Sequence, residues 1–137
     1  MLRPLQALID PAAMAHNLRR VRELAPDSRI WAVVKANAYG HGLLNAVEGF
    51  AAADGLALLE FDNAIGLRDK LVDQPILMLE GAFDEASTRL AIARRLQLVV
   101  HHEQQLSWIE KCAGPRRLSV WLKFNSGMNR LGFTQAA

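Results

Sequence analysis

Short apolar runs alternate along this chain with longer segments of helical periodicity. The runs cover residues 29–34, 55–59, 75–79, 96–101 and 118–124, and a shorter one at 7–10 precedes them. Runs this short and this apolar predict the buried strands of a parallel sheet. The intervening segments carry apolar stripes. Asp10 can cap a helix whose first residue is Pro11, and Met14, Leu18, Val21 and Leu24 share one of its faces. Leu43, Leu44, Val47, Phe50 and Ala51 form a second stripe. Phe83, Ala86, Leu90, Ala93 and Leu96 form another, and Leu106, Ile109 and Cys112 the last. Residues 62–71 make a weaker helix, because Gly66 interrupts it. Asp62, Asp84 and Glu103 fall where a helix start favours an acid.

The predicted strands start near residues 29, 55, 75, 96 and 118, a βα repeat that implies right-handed crossovers. Two α/β architectures fit. A doubly wound open sheet would be complete with five strands. A (β/α)8 TIM-type barrel needs about 250 residues, so this chain would hold about five of its eight βα units. Residue faces favour the barrel. Ser119, Trp121 and Lys123 share one face of the last strand, and Trp31, Val33 and Lys35 share one face of the first. An inward lysine suits a barrel mouth better than a sheet covered on both sides. The expectation is a partial barrel over residues 1–137, with the remaining strands and any further domain absent. An incomplete barrel exposes two sheet edges and one side of its core, which predicts that the chain alone is weakly stable or depends on a partner that completes it.

Composition adds exclusions. Half of the 137 residues are hydrophobic and 22% are charged, the mix of a globular domain. Net charge is +2 and the cations are scattered, so neither nucleic acid nor a membrane surface is an expected partner. The single cysteine, Cys112, reads as a packed thiol and suits a reducing compartment. Residues 1–4 do not open a leader and no run is long enough for a membrane span, which makes the cytoplasm the expected location. His101 and His102 are adjacent and would not aim both rings at one ion, so no metal is expected. Trp108 and Trp121 read as packing residues.

The chemistry concentrates in Trp31-Ala-Val-Val-Lys35-Ala-Asn-Ala-Tyr39-Gly40-His41-Gly42. Lys35 sits at the C-terminal end of a buried strand, the end where α/β folds place their active sites. Burial disfavours an ammonium ion, and a neutral lysine amine attacks aldehydes. Gly40 and Gly42 let the backbone approach a ligand. Alternatively, Lys35 merely ends the strand and reaches into solvent.

The segment 34–42 resembles the cofactor-binding signature of bacterial alanine racemases. The similarity continues through 54–59, 75–81 and 99–101. It ends in Leu122-Lys123-Phe124-Asn125-Ser126-Gly127-Met128-Asn129-Arg130-Leu131-Gly132-Phe133. Both motifs are worded most like the catabolic, proteobacterial branch. The resemblance implies pyridoxal 5'-phosphate as cofactor, alanine as substrate and a homodimer for the full-length enzyme. It implies that Lys35 bonds the cofactor and acts as a base on one face of the substrate. Tyr39 would contact the cofactor phosphate. Arg130 would serve both the cofactor's phenolic oxygen and the substrate carboxylate, with Met128 also at the substrate. Lys123 matches a lysine that is often carbamylated and orients that arginine. Asn125 stands where many members carry aspartate, so one local charge is missing. The family's second base is a tyrosine from the partner subunit, and the sole tyrosine here is Tyr39.

Other functions stay open at this point. They are a broader amino-acid racemase, a non-catalytic pyridoxal-phosphate-binding protein, and a truncated chain with no activity.

Overall fold

A computed structural model describes residues 4–112, 114–115 and 117–134. Met1, Leu2 and Arg3, read above for a leader, lie outside them. The elements are α1 (Pro11–Leu24), β1 (Trp31–Val33), α2 (Lys35–Tyr39), α3 (Leu43–Gly49), β2 (Gly55–Leu58) and α4 (Phe61–Asp69). They continue with β3 (Ile76–Met78), α5 (Glu85–Ala93), β4 (Gln97–Val100), α6 (Glu103–Cys112) and β5 (Val120–Leu122). All five strands pair in parallel in the order β1-β2-β3-β4-β5. A doubly wound sheet reverses its order at a switch point. This one does not, and so it is the arc of a barrel.

The arc is strongly curled. Strands lie about 4.8 Å apart in a sheet, so flat β1 and β5 would be separated by about 19 Å. Yet Trp31 of β1 and Trp121 of β5 meet edge to face with ring centroids 4.9 Å apart. Trp31, with Leu79, packs on an inner layer formed by Ala57, Leu77 and Val99. Gly55 makes room for this, since a Cβ there would stand 2.4 Å from Trp31 Nε1. Leu56, Leu58, Ile76, Met78 and Leu98 face the other way and form the main core with residues of the helices.

Local signals explain most helix starts. The Asp10 side chain accepts from Ala12 N–H and Pro11 opens α1. Asp84 and Ser87 form a capping box on α5. Gly66 leaves α4 intact, with Ala64 and Leu67 buried.

The structure departs from expectation at several places. Residues 7–10 pair with no described strand, and Leu8 is 92% exposed. In α1 only Leu18 is buried, while Val21 and Leu24 face solvent. In α3, Leu43, Val47 and Phe50 pack on the core but Leu44 is exposed. The buried residues of α5 are Thr88 and Ala91, not Ala86 and Ala93. In α6 the buried residue is Gln105, flanked by the exposed Leu106. Gln105 is satisfied there, donating to the carbonyls of Glu80 and Ala82 and accepting from His101 N–H. Cys112 is half buried.

Candidate active site

The C-terminal ends of all five strands converge on one pocket of about 200 Å³. Its lining is Lys35, Leu59, Leu79, Glu80, Val99, Lys123, Arg130 and Leu131. These residues lie more than ninety positions apart in sequence, and curling of the sheet brings them together. Lys35 follows β1, Leu59 follows β2, Leu79 and Glu80 follow β3, and Lys123 follows β5.

Lys35 does not sit on the strand proper. β1 stops at Val33 and Lys35 opens α2, a single left-handed turn. Ala36, Asn37, Ala38 and Tyr39 all have φ between 52° and 55°. L residues avoid this region at a cost of about 1–2 kcal/mol each. The turn is therefore held by bonds within it and by bonds from neighbouring elements. Ala38 N–H donates to Val34 carbonyl, and Gly42 N–H to Asn37 carbonyl. Asn37 Oδ1 accepts from Leu43 N–H at 2.8 Å, tying the turn to α3. Glu60 Oε1 accepts from Ala36 N–H at 3.1 Å. Sustained left-handed backbone of this kind clusters at functional sites, where the surroundings over-determine it.

Arg130 reaches the pocket because its segment folds back. Phe124 bridges Phe133, with Asn125 N–H donating to Phe133 carbonyl and Phe133 N–H to Lys123 carbonyl. Gly132 lies at φ 123°, and a Cβ there would meet Asn125 N at 2.6 Å. Asn125 organises the loop it starts. Its Oδ1 accepts from the N–H groups of Gly127 and Asn129, and its Nδ2 donates to Asn129 Oδ1 at 2.8 Å. Aspartate could not make that last bond, because it has no amide donor.

Electrostatically the pocket is lopsided. It holds three cationic side chains, Lys35, Lys123 and Arg130, and one carboxylate, Glu80. Among the described residues, none of the three cations takes part in an ion pair. Cations gathered in a cleft attract and orient an anion. Beside a lysine amine and four apolar side chains, the set suits a flat anionic carbonyl compound.

Not every predicted residue joins them. Tyr39 lines a separate cavity of about 260 Å³ with Val33, Ala38, His41 and Phe50, and it is largely exposed. Met128 is 74% exposed and does not line the pocket. His101 and His102 line a neighbouring cavity of about 590 Å³ with Phe83 and Trp108, and that cavity shares Glu80 and Arg130 with the first. No group of three or more metal-ligating side chains occurs among the described residues. Sequence reasoning missed Glu80 and Glu60. Both are acids that follow an apolar strand, the same position that singled out Lys35.

Fold and pocket define a class: an α/β-barrel protein with a lysine at the barrel mouth and cations around it. The family follows from comparison. Residues 9–137 match the family model described as alanine racemase, N-terminal domain. The chain belongs to that family. An alanine racemase from Nitrosospira multiformis is 55% identical over 134 residues, which is 98% of this chain and 38% of the relative. The crystal structure of the biosynthetic alanine racemase from Pseudomonas aeruginosa superposes with a TM-score of 0.88 at 40% identity, covering 96% of this chain and 37% of that one. Histidine racemase from Leuconostoc mesenteroides superposes with a TM-score of 0.78 at 32% identity, over 92% of this chain and 34% of that one. The chain thus spans well under half the length of its relatives. The relatives about half identical to this chain include proteobacterial alanine racemases, which agrees with the proteobacterial part of the motif wording.

Proposed function

We propose that residues 1–137 are the N-terminal portion of the cofactor-binding barrel of an alanine racemase that uses pyridoxal 5'-phosphate. The observation that carries this reading is the convergence of Lys35, Lys123 and Arg130 on one pocket at the strand ends. These residues fit the cofactor: an amine for its aldehyde, a guanidinium for its phenolic oxygen, and Leu59, Leu79 and Val99 for its ring. Tyr39, which lines the next cavity, is the residue that the resemblance assigns to the phosphate. When bound, the cofactor supplies an electron sink for charge developing at the substrate α-carbon.

The chain's own residues do the rest. Lys35 holds the cofactor through Nζ and moves a proton at one face of the α-carbon, as a general base must from within hydrogen-bond reach. Arg130 binds the substrate carboxylate, and a guanidinium does so with two parallel donors. Lys123 lines the pocket with Arg130 and orients it as a carbamate, whose oxygens accept from the guanidinium, since a plain ammonium has no acceptor to offer. Met128, exposed and outside the pocket lining, is assigned to the substrate by the resemblance alone. Alanine as substrate, homodimer assembly and a cytoplasmic location belong to the same proposal. The P. aeruginosa structure is described as a biosynthetic enzyme, so a catabolic role rests on the motif wording alone.

A second reading keeps the chemistry and widens the substrate. The resemblance to a histidine racemase supports it, because a similar barrel there serves a different side chain. Rates on alanine, serine, lysine and histidine in an enzyme completed with a C-terminal half would separate the two. An inert chain is the outcome if no such completion restores racemisation.

The test of the main reading is covalent trapping. The chain is incubated with pyridoxal phosphate, reduced with borohydride and mapped by mass spectrometry. Label confined to Lys35, and lost in Lys35→Ala, is the expected result. Label spread over many lysines and unchanged in that variant would overturn it.

A further inference from the structure

The geometry points to Glu60 as a positioning residue for Lys35, one that holds the left-handed turn through the amide of Ala36. The inference rests on Lys35 being the reactive lysine.

Glu60 is the N-cap residue of α4, yet its side chain makes no capping bond there. Glutamate is not among the residues that serve well at this position, which are serine, threonine, aspartate and asparagine. Its carboxylate instead reaches across to α2, where Oε1 accepts from Ala36 N–H. That amide belongs to the peptide joining Lys35 to Ala36. It sits at the first step of the turn, where the backbone passes from the extended strand to φ 52°.

The second oxygen, Oε2, is buried and has no hydrogen-bond partner among the described residues. With Oε1 on Ala36 N–H and no cap bond made to α4, the carboxylate serves the turn and not the start of its own helix. Burial pushes the Glu60 carboxyl upward. The nearby amides of Glu60 itself, Ala36 and Leu59, with the Asn63 side chain, more than offset this and hold it below its ordinary value of 4.5. It is an anion at neutral pH, the form that accepts most strongly from a backbone amide.

A fixed backbone path matters here because Lys35 lies beyond the end of β1. Four successive left-handed residues can relax toward the ordinary right-handed region, and such a change would swing the Lys35 Cα–Cβ bond. With Ala36 fixed, the amine enters the pocket from one direction, and small misplacements of a reacting group cost much rate.

Three versions of the full chain separate positioning from simple helix support. Aspartate at 60 is a better cap for α4 but is one methylene too short to reach Ala36. In Glu60→Asp the Ala36 amide should exchange with deuterium about tenfold faster, the cost of losing a charge-assisted bond, while α4 amides exchange no faster. In Glu60→Gln the amide oxygen still accepts, and Ala36 should stay within about threefold of the unmodified chain. Trapping of pyridoxal phosphate on Lys35 should slow about fivefold in Glu60→Asp and be restored in Glu60→Gln.

Unchanged Ala36 exchange in Glu60→Asp would overturn the inference. So would faster exchange spread evenly over β2 and α4, which marks general loosening. If Lys35 of the unmodified chain is never trapped, the functional reading falls by itself. Ala36 exchange still decides whether Glu60 holds the turn.

Discussion

Strands β4 and β5 pair residue for residue and end in opposite environments. Leu98 lies beside Val120, and Val100 beside Leu122. The two β4 residues are fully buried, whereas Val120 is 41% and Leu122 57% exposed. The side chains are equally apolar and point the same way. What differs is the layer above them. α4 and α5 lie over the middle of the sheet, and no described helix follows β5. An apolar strand face does not bury itself; in a parallel sheet it depends on the crossover helix that comes next.

That contrast can be broken from the strong side first. Met78→Ala removes a fully buried side chain in the centre of the sheet and should destabilise by about 2–5 kcal/mol, read by urea unfolding. A loss under about 1 kcal/mol would mean that the central strands are no better packed than β5.

Gly55→Ala comes next, because its Cβ would collide with the Trp31 ring. About 1–3 kcal/mol is the expected loss, together with a change in near-ultraviolet circular dichroism from the separated tryptophan pair. An unaltered spectrum would show that Trp31 and Trp121 do not define the curl.

Acid should act on the β1–β2 edge before it touches β5. Asp54 accepts from Ile30 N–H at 2.7 Å and pairs with Arg22 of α1 at 2.6 Å. The Ile30 amide first, and Arg22 second, hold its carboxyl below the ordinary 3.8 against the upward push of burial. A depressed carboxyl stabilises the fold above its unfolded value and loses that contribution as pH falls through the folded one. Melting temperature should therefore drop below about pH 4, and less steeply in Asp54→Asn. Equal slopes in the two proteins would remove Asp54 from the account.

The smallest effect belongs to β5. Leu122→Ala should change stability by no more than about 0.5 kcal/mol, the range of exposed positions. A loss as large as that of Met78→Ala would mean that something covers this face in solution, and sedimentation would show whether it is a second copy.

Much of the fold was legible in the chain. Five short apolar runs became five strands, and Asp10-Pro11 became a helix start. The shared faces of Ser119, Trp121 and Lys123 and of Trp31, Val33 and Lys35 argued for a barrel before any strand order was known, although Lys35 proved to lie beyond its strand. Helix faces were less legible. In α5 and α6 the buried positions went to Thr88, Ala91 and Gln105, because small or hydrogen-bonded side chains allow closer approach than the apolar stripe predicted. The Lys35 motif was legible as chemistry but not as geometry. Nothing in Lys-Ala-Asn-Ala-Tyr signals four left-handed residues, of which only the asparagine is at ease there.

The sequence by itself determined the repeat of βα units, the helix caps and the candidate reactive groups, since all of these depend on residues a few positions apart. Only tertiary structure decided which distant groups meet. The curl that brings Trp31 edge to face with Trp121 also draws Lys35, Glu80, Lys123 and Arg130 to one pocket and leaves Tyr39 in the next. It likewise set Glu60 against Ala36, a pairing across twenty-four residues that no local pattern encodes. Strand periodicity fixes which face a side chain takes, but its neighbours on that face are set by how the whole sheet bends.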